Sequence, residues 1–204
     1  KNLSKLLGIN NVRDKKLFTS YISEFLKALI IISVFIFILI KGEFVLFQTN
    51  LNLNIVLNSL FLACFVGIAE ELVFRVWLFE EFNLFLKPRR ANLYQAILFS
   101  LVHFRSDFDL VSNIQLLVGL FILGLYLNTW RLIQKPTILL PIFFHGSLVG
   151  VWFFVTNSLM IINKNIPNLL FGPGEGINFN PVGGLIGIFI LLVLYYFQKK
   201  YFLR

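Results

Sequence analysis

The chain carries little charge and almost no cysteine, and both shortages narrow what it can be. Only 14% of its 204 residues are Asp, Glu, Lys or Arg, against about 25% in an ordinary soluble domain. A single cysteine, Cys64, excludes an internal disulfide and lacks the companions of a zinc ribbon or an iron–sulfur centre. Acidic residues number ten against eighteen basic ones, for a formal net charge of +8. Nucleic acid is not the expected partner, because the basic residues sit between apolar runs and build no face of a soluble domain. The sequence shows no internal repeat, low-complexity tract, second soluble domain or signal-peptide pattern, so the first apolar run is expected to do its own targeting.

What is present is apolar. Hydrophobic residues make up 58% of the chain, 25 of them Phe, and the mean hydropathy is +0.83. The apolar runs Tyr21–Ile40, Leu53–Leu78, Ala91–Phe104, Asn113–Trp130, Thr137–Met160 and Val182–Phe197 read as six helices. Most can span ~30 Å of hydrocarbon at ~1.5 Å per residue. The Ala91–Phe104 run covers only about 20 Å and is expected to stop inside the bundle. The runs lack two-residue alternation and exceed barrel-strand length, which disfavours a β-barrel. The expected fold is therefore all-α, a polytopic transmembrane helical bundle of about six helices, with the lipid bilayer as its first partner.

Residues 1–20 form a basic cytoplasmic or interfacial segment and 21–204 the bundle. Within Lys1–Lys16, Leu3, Leu6, Leu7 and Ile9 alternate with basic residues, a pattern shared by an interfacial helix and a solvated tail. Alternate connections place thirteen basic residues on one side, among them Arg13, Lys87, Arg89, Arg90, Arg131, Lys135, Lys199 and Arg204, and only Lys41, Arg105 and Lys164 on the other. This asymmetry puts both termini in the cytoplasm. Lys27, near a helix start, is expected to snorkel. The Pro- and Gly-rich stretch Asn163–Pro181 reads as a non-cytoplasmic loop with Glu175 as a solvated charge.

Glu70, Glu71 and Arg75 lie inside an otherwise apolar helix, where each charge costs roughly 2.5–3.5 kcal/mol on insertion scales. Glu71 and Arg75 are four apart with the acid first, the favourable order for a helical ion pair. Glu70 points about 100° away and is not explained by that pair, unless both acids fork onto Arg75. The only histidines, His103 and His145, also lie in apolar helices. One buried histidine is ordinarily a hydrogen-bonded core residue; two beside an unpaired carboxylate suggest a shared, cytoplasm-facing cavity. A carboxylate with two imidazoles suits water activation with oxyanion stabilisation, or ligation of a metal.

At these residues the sequence resembles a known family. Glu70-Glu71-Leu-Val-Phe-Arg75 is similar to the EExxxR signature of the CPBP intramembrane proteases, also called the ABI or CAAX-protease-and-bacteriocin-processing family. Phe99-Ser-Leu-Val-His103 matches the second motif, FxxxH, and the run Gly119–Thr129 leading to His145 resembles the region of the third and fourth. The resemblance covers roughly residues 60–150. It implies an endopeptidase in which Glu70 activates water with His103 while His145 stabilises the oxyanion, acting on a peptide or membrane-protein substrate. It leaves two cofactor readings open: a divalent metal such as zinc, held by Glu70, His103 and His145, or no metal.

Many members of that family carry Asn four residues after the last histidine, where this chain has Val149, which offers no side-chain hydrogen bond. Ser147 is the nearest hydroxyl, but at two residues from His145 it faces away. The alternative is thus a non-proteolytic immunity or scaffold protein of the same fold. A proton-relaying transporter would also need buried ionisable groups, but helix-breaking prolines do not fall in matching half-chain positions.

Overall fold

The computed structural model describes residues 15–132 and 137–202. Most of the expected N-terminal segment, Lys135 and Arg204 lie outside the described residues. Helix α1 (Lys15–Lys41) leads to strand β1 (Val45–Phe47). Helix α2 (Leu53–Glu71) passes through a π-helical stretch, Leu72–Leu78, into α3 (Phe79–Phe85). Then come α4 (Pro88–Leu101), α5 (Leu110–Asn128) and α6 (Leu139–Phe154), which again ends in a π turn, Val155–Leu159. Strand β2 (Met160–Ile162), the short α7 (Asn168–Phe171) and α8 (Leu185–Phe202) complete the order.

The fold is the expected helical membrane bundle. Among the described residues, Phe18–Lys41, Leu53–Phe85, Leu110–Arg131 and Leu139–Leu159 are long and apolar enough to cross a membrane. Their outer faces expose Phe18, Phe37, Phe61, Phe65 and Trp77, an apolar surface that lipid covers and water would not tolerate. Helix α4, at 14 residues, stops short as expected. Two features differ from the sequence reading. Strands β1 and β2 pair antiparallel, Val45 opposite Ile162, because the chain leaving α1 and the chain leaving α6 emerge side by side. The stretch expected to be loop contains α7, whose Phe171 packs on Phe35 and Phe44.

The hairpin defines one end of the bundle. The C-terminal ends of α1 and α6 and the start of α2 meet there, with Asn50 N–H donating to the Ser158 carbonyl at 2.9 Å. Val182 and Gly183 pack on Gly119 and Leu116, which brings the start of α5 to the same end. Lys87, Arg89, Arg90, Arg131, Lys199 and Lys200 fall at the opposite end, where α3 meets α4 and where α5 and α8 finish.

Small residues set the central crossing. Ser59, Ala63 and Gly67 form a stripe on α2 that faces Gly146 and Gly150 on α6. A Cβ on Gly146 would lie 2.2 Å from the Ala63 carbonyl oxygen, and one on Gly150 would lie 2.7 Å from that of Ser59. The two backbones therefore touch, the arrangement that replaces hydrophobic burial as the source of helix association in lipid. It also delivers the C-terminal turn of α2 to the side of His145.

Polar ties join α4 to α5. Gln95 Nε2 donates to the Gly124 carbonyl at 3.1 Å, and Ser100 Oγ to that of Leu117 at 2.7 Å. Asp109 caps α5 through the Ser112 amide at 3.0 Å. Lys27 has a partner in its own helix: its ammonium lies 2.6 Å from Glu24, a buried acid that the sequence reading did not single out.

Candidate active site

Glu70 ends up beside both histidines. Its Oε2 lies 3.8 Å from His103 Nε2 and 3.9 Å from His145 Nε2. These gaps exceed a direct hydrogen bond, but an oxygen at about 2.8 Å can touch the carboxylate and an imidazole together. The three residues line a common cavity of about 380 Å³.

The backbone explains how they converge. Glu70 is in the last turn of α2, before the hydrogen bonding widens over Leu72–Leu78. Such a π turn rotates the side chains that follow it, and it recurs at functional sites. His145 is in α6, one residue before the glycine that lets α2 approach. His103 lies just beyond α4 in a turn, so its expected place within the helix is corrected: α4 ends at Leu101. Asn113 fixes that turn, donating to the carbonyls of Arg105 at 2.8 Å and Phe108 at 3.1 Å and accepting from the Arg105 amide at 3.0 Å.

Both imidazoles are oriented alike. His103 Nδ1 donates to the Phe99 carbonyl at 2.7 Å, and His145 Nδ1 donates to Glu71 Oε1 at 2.9 Å. A carbonyl and a carboxylate can only accept, so each Nδ1 carries hydrogen and each Nε2 is turned toward Glu70. The ring of Phe99 packs against both imidazoles, and the Arg75 guanidinium lies over it at 4.2 Å.

Glu71 and Arg75 form the expected ion pair, with Arg75 Nε 3.2 Å from Glu71 Oε2 and both side chains wholly buried. Among the described residues Arg75 forms no ion pair with Glu70, so the forked arrangement is not adopted. Glu71 also does more than the spacing implied, since its second oxygen holds His145.

Residues 52–151 match the family model described as type II CAAX prenyl endopeptidase Rce1-like. Over these residues, just under half of the chain, it is similar to that family. No curated protein and no solved structure matches it.

In this Rce1-like chain the cavity lies differently from the sequence expectation. Its walls include Phe179, Asn180, Pro181 and Val182 from the stretch before α8, together with Arg105. These are residues of the hairpin end, not of the basic end toward which a cytoplasm-facing cavity was expected. The physical reason is the length of the α2–α3 helix. It continues to Phe85, so Glu70 stands about 22 Å from its basic end, deeper than in a helix that stops at Leu78.

Val149 lines the cavity one turn beyond His145, and Ser147 faces away, its hydroxyl donating to the Phe143 carbonyl. Among the described residues no group of three or more His, Cys, Asp or Glu side chains is gathered as a metal centre requires. As donor types, Glu70, His103 and His145 match a two-histidine, one-carboxylate zinc site, and the same side chains without a metal supply a base and two imidazoles. The sequence reading missed the contact of Glu71 with His145, the bracing by Asn113 and the small-residue crossing. Spacing of Ser59-xxx-Ala63-xxx-Gly67 and Gly146-xxx-Gly150 was the available signal for the last.

Proposed function

We propose that this protein is a membrane-embedded endopeptidase that hydrolyses a peptide bond with a glutamate-activated water. The observation that carries the reading is the placement of Glu70 Oε2 between the Nε2 atoms of His103 and His145. The similarity of residues 52–151 to a CAAX-type endopeptidase family supports the same reaction class.

In this reading a water held by Glu70 and His103 attacks the scissile carbonyl carbon as Glu70 takes its proton. The C–O bond forms, the carbonyl π pair moves to oxygen, and His145 Nε2 stabilises the oxyanion when that nitrogen carries a proton. Collapse of the tetrahedral species re-forms the carbonyl and breaks the C–N bond, with Glu70 returning its proton to the departing amine. General acid–base help of this kind is worth roughly 10²–10⁴-fold. Glu71 does not touch substrate; it fixes the His145 ring, and Arg75 balances its charge.

The asymmetry of basic residues supports an orientation with both termini in the cytoplasm. A second reading, a non-proteolytic immunity or scaffold protein, is favoured by Val149 alone, which puts an apolar side chain where a donor to the oxyanion is useful. Mass spectrometry of membrane peptides from cells carrying the wild-type chain or Glu70→Gln tests between them. Cleavage products present with the first and missing with the second support hydrolysis; identical peptide pools sink it.

A further inference from the structure

Ion pairing with Glu71 occupies one nitrogen of the buried Arg75 guanidinium and leaves the other two over. Arg75 Nε faces Glu71 Oε2 at 3.2 Å, but Nη1 and Nη2 are buried and have no hydrogen-bond partner among the described residues. Two neighbours share this condition. Gln95 Oε1 and both amide atoms of Asn128 are also buried without a partner among the described residues. All three side chains are wholly enclosed, at 0% exposure. Buried polar atoms in folded proteins are paired in the large majority of cases, and a bare one is costly.

The three side chains approach one place from three elements. The Arg75 guanidinium, carried by the π-helical stretch, lies over the ring of Phe99. Gln95 is one turn before Phe99 on α4, and its Nε2 donates to the Gly124 carbonyl at 3.1 Å. Phe99 and Ala96 close on Gly124 so tightly that a Cβ there would lie 3.1 Å from the Phe99 ring and 3.2 Å from Ala96. Asn128 follows Gly124 by four residues, on the same face of α5 and about 6 Å along its axis. The unpaired atoms therefore gather within about one helical turn of the Phe99–Gly124 contact.

Turning the Gln95 amide over does not satisfy them. Its Nε2 already donates to the Asn92 and Gly124 carbonyls, both at 3.1 Å, so exchanging O and N would set oxygen against oxygen. Gln95 Oε1 is thereby fixed as an acceptor and the Arg75 Nη atoms as donors, while Asn128 offers one of each. An anion would meet the Gln95 oxygen with no charge left to hold it, because Glu71 balances Arg75. A cation would meet the guanidinium. Water both donates and accepts, and it suits a mixed set beside a charge that is already balanced.

We propose that Arg75, Gln95 and Asn128 hold a buried cluster of about two ordered waters, each making about three hydrogen bonds, and that this cluster positions His145. The waters fix the Nη end of Arg75, Arg75 fixes Glu71, and Glu71 holds His145 Nδ1 at 2.9 Å. Gln95 and Asn128 are thus positioning residues that touch no substrate. The water site stands on the buried atoms alone; its effect on cleavage rests on the hydrolytic reading.

A crystal structure of the full chain that resolves ordered water tests the site itself. The expected result is water density within about 2.7–3.2 Å of an Arg75 Nη and of Gln95 Oε1 or an Asn128 amide atom. The lack of such density, with or without direct bonds among the three side chains, overturns the proposal.

Positioning has a separate readout, because the chain has only two histidines. Isotopic labelling of histidine nitrogen gives one Nδ1–H resonance for each in detergent, and His103→Gln assigns them. Asn128→Leu keeps the branching of the side chain but removes both polar atoms, whereas Asn128→Ser keeps a hydroxyl and leaves room for a water. In Asn128→Leu the His145 Nδ1–H resonance is expected to move upfield. Its kcat on a short fluorogenic apolar peptide should fall about tenfold at unchanged KM, the upper range for one ordinary hydrogen bond. Asn128→Ser is expected to stay near wild type in both. Asn128→Val replaces the leucine variant if that one does not accumulate. An unshifted His145 resonance in the folded apolar variant, or equal losses in the apolar and serine variants, overturns the positioning role. The expected shift with no cleavage by the wild-type chain refutes hydrolysis and leaves the water site standing.

Discussion

Replacing Gly146 by alanine perturbs the site without touching any group that reacts. The added methyl carbon would lie 2.2 Å from the Ala63 carbonyl oxygen, whereas ordinary contact begins at 3.4 Å. The obstacle is helical backbone, so no rotamer relieves it and α2 must move away from α6 by about 1 Å. Overpacking of this kind costs about 1–3 kcal/mol. The displacement acts directly on the neighbouring residue, because the 2.9 Å bond from His145 to Glu71 spans the same two helices. Stretched by about 1 Å it is no longer a hydrogen bond, and a catalytic group misplaced that far can lose on the order of 10²-fold in rate. Thermal unfolding in detergent beside single-turnover cleavage reads both effects. Leu57→Ala, on the lipid-facing side of α2 and 53% exposed, serves as the control and is expected to change cleavage little. Wild-type stability and turnover in Gly146→Ala would show that the helices are not in backbone contact, and the explanation of how the site is assembled would fail.

Glu71→Gln removes the charge that balances wholly buried Arg75, and breaking such a pair costs about 3–5 kcal/mol; a large fall in unfolding temperature or in accumulation is expected, and a stable, inert variant would instead place Glu71 in the chemistry. Val149→Asn puts a donor on the cavity wall one turn from His145 and is expected to raise cleavage, by less than the ~2.7–4 kcal/mol that an evolved oxyanion donor supplies; unchanged turnover in a folded variant would show that another group fills that role. Asn113→Ala frees the turn that carries His103 and strands the Arg105 and Phe108 carbonyls. A stability loss of about 1–3 kcal/mol with a fall in kcat larger than any change in KM is expected, and kinetics matching the wild type would refute the bracing role.

The sequence displays the helices because lipid demands long apolar runs, and the short run at Ala91–Phe104 already marks α4 as incomplete. Glu70, His103 and His145 stand out because ionisable groups are so costly in that setting that few are present. Their partners are less visible. The bond from Glu71 to His145 joins residues 74 apart in the chain, and only the α2–α6 crossing brings them together. Helical periodicity assumes regular turns, so it cannot report the π stretch Leu72–Leu78, nor that His103 follows the end of α4. The cavity direction was misread because apolar content does not show that the α2 helix continues to Phe85, which places Glu70 deeper than a span ending at Leu78 would. The strands β1 and β2, three residues each, are too short for alternation to register.

The central claim is that Glu70 is the group that activates water, and Glu70→Gln tests it most directly, since glutamine keeps the size of the side chain but cannot act as a base. Single-turnover cleavage of a short fluorogenic apolar peptide by purified protein in detergent should be abolished, while the unfolding temperature stays at the wild-type value, because Glu70 is not part of the buried Glu71–Arg75 pair. Normal cleavage by folded Glu70→Gln would contradict the assignment, most sharply if Glu71→Gln proved folded and inert in the same assay.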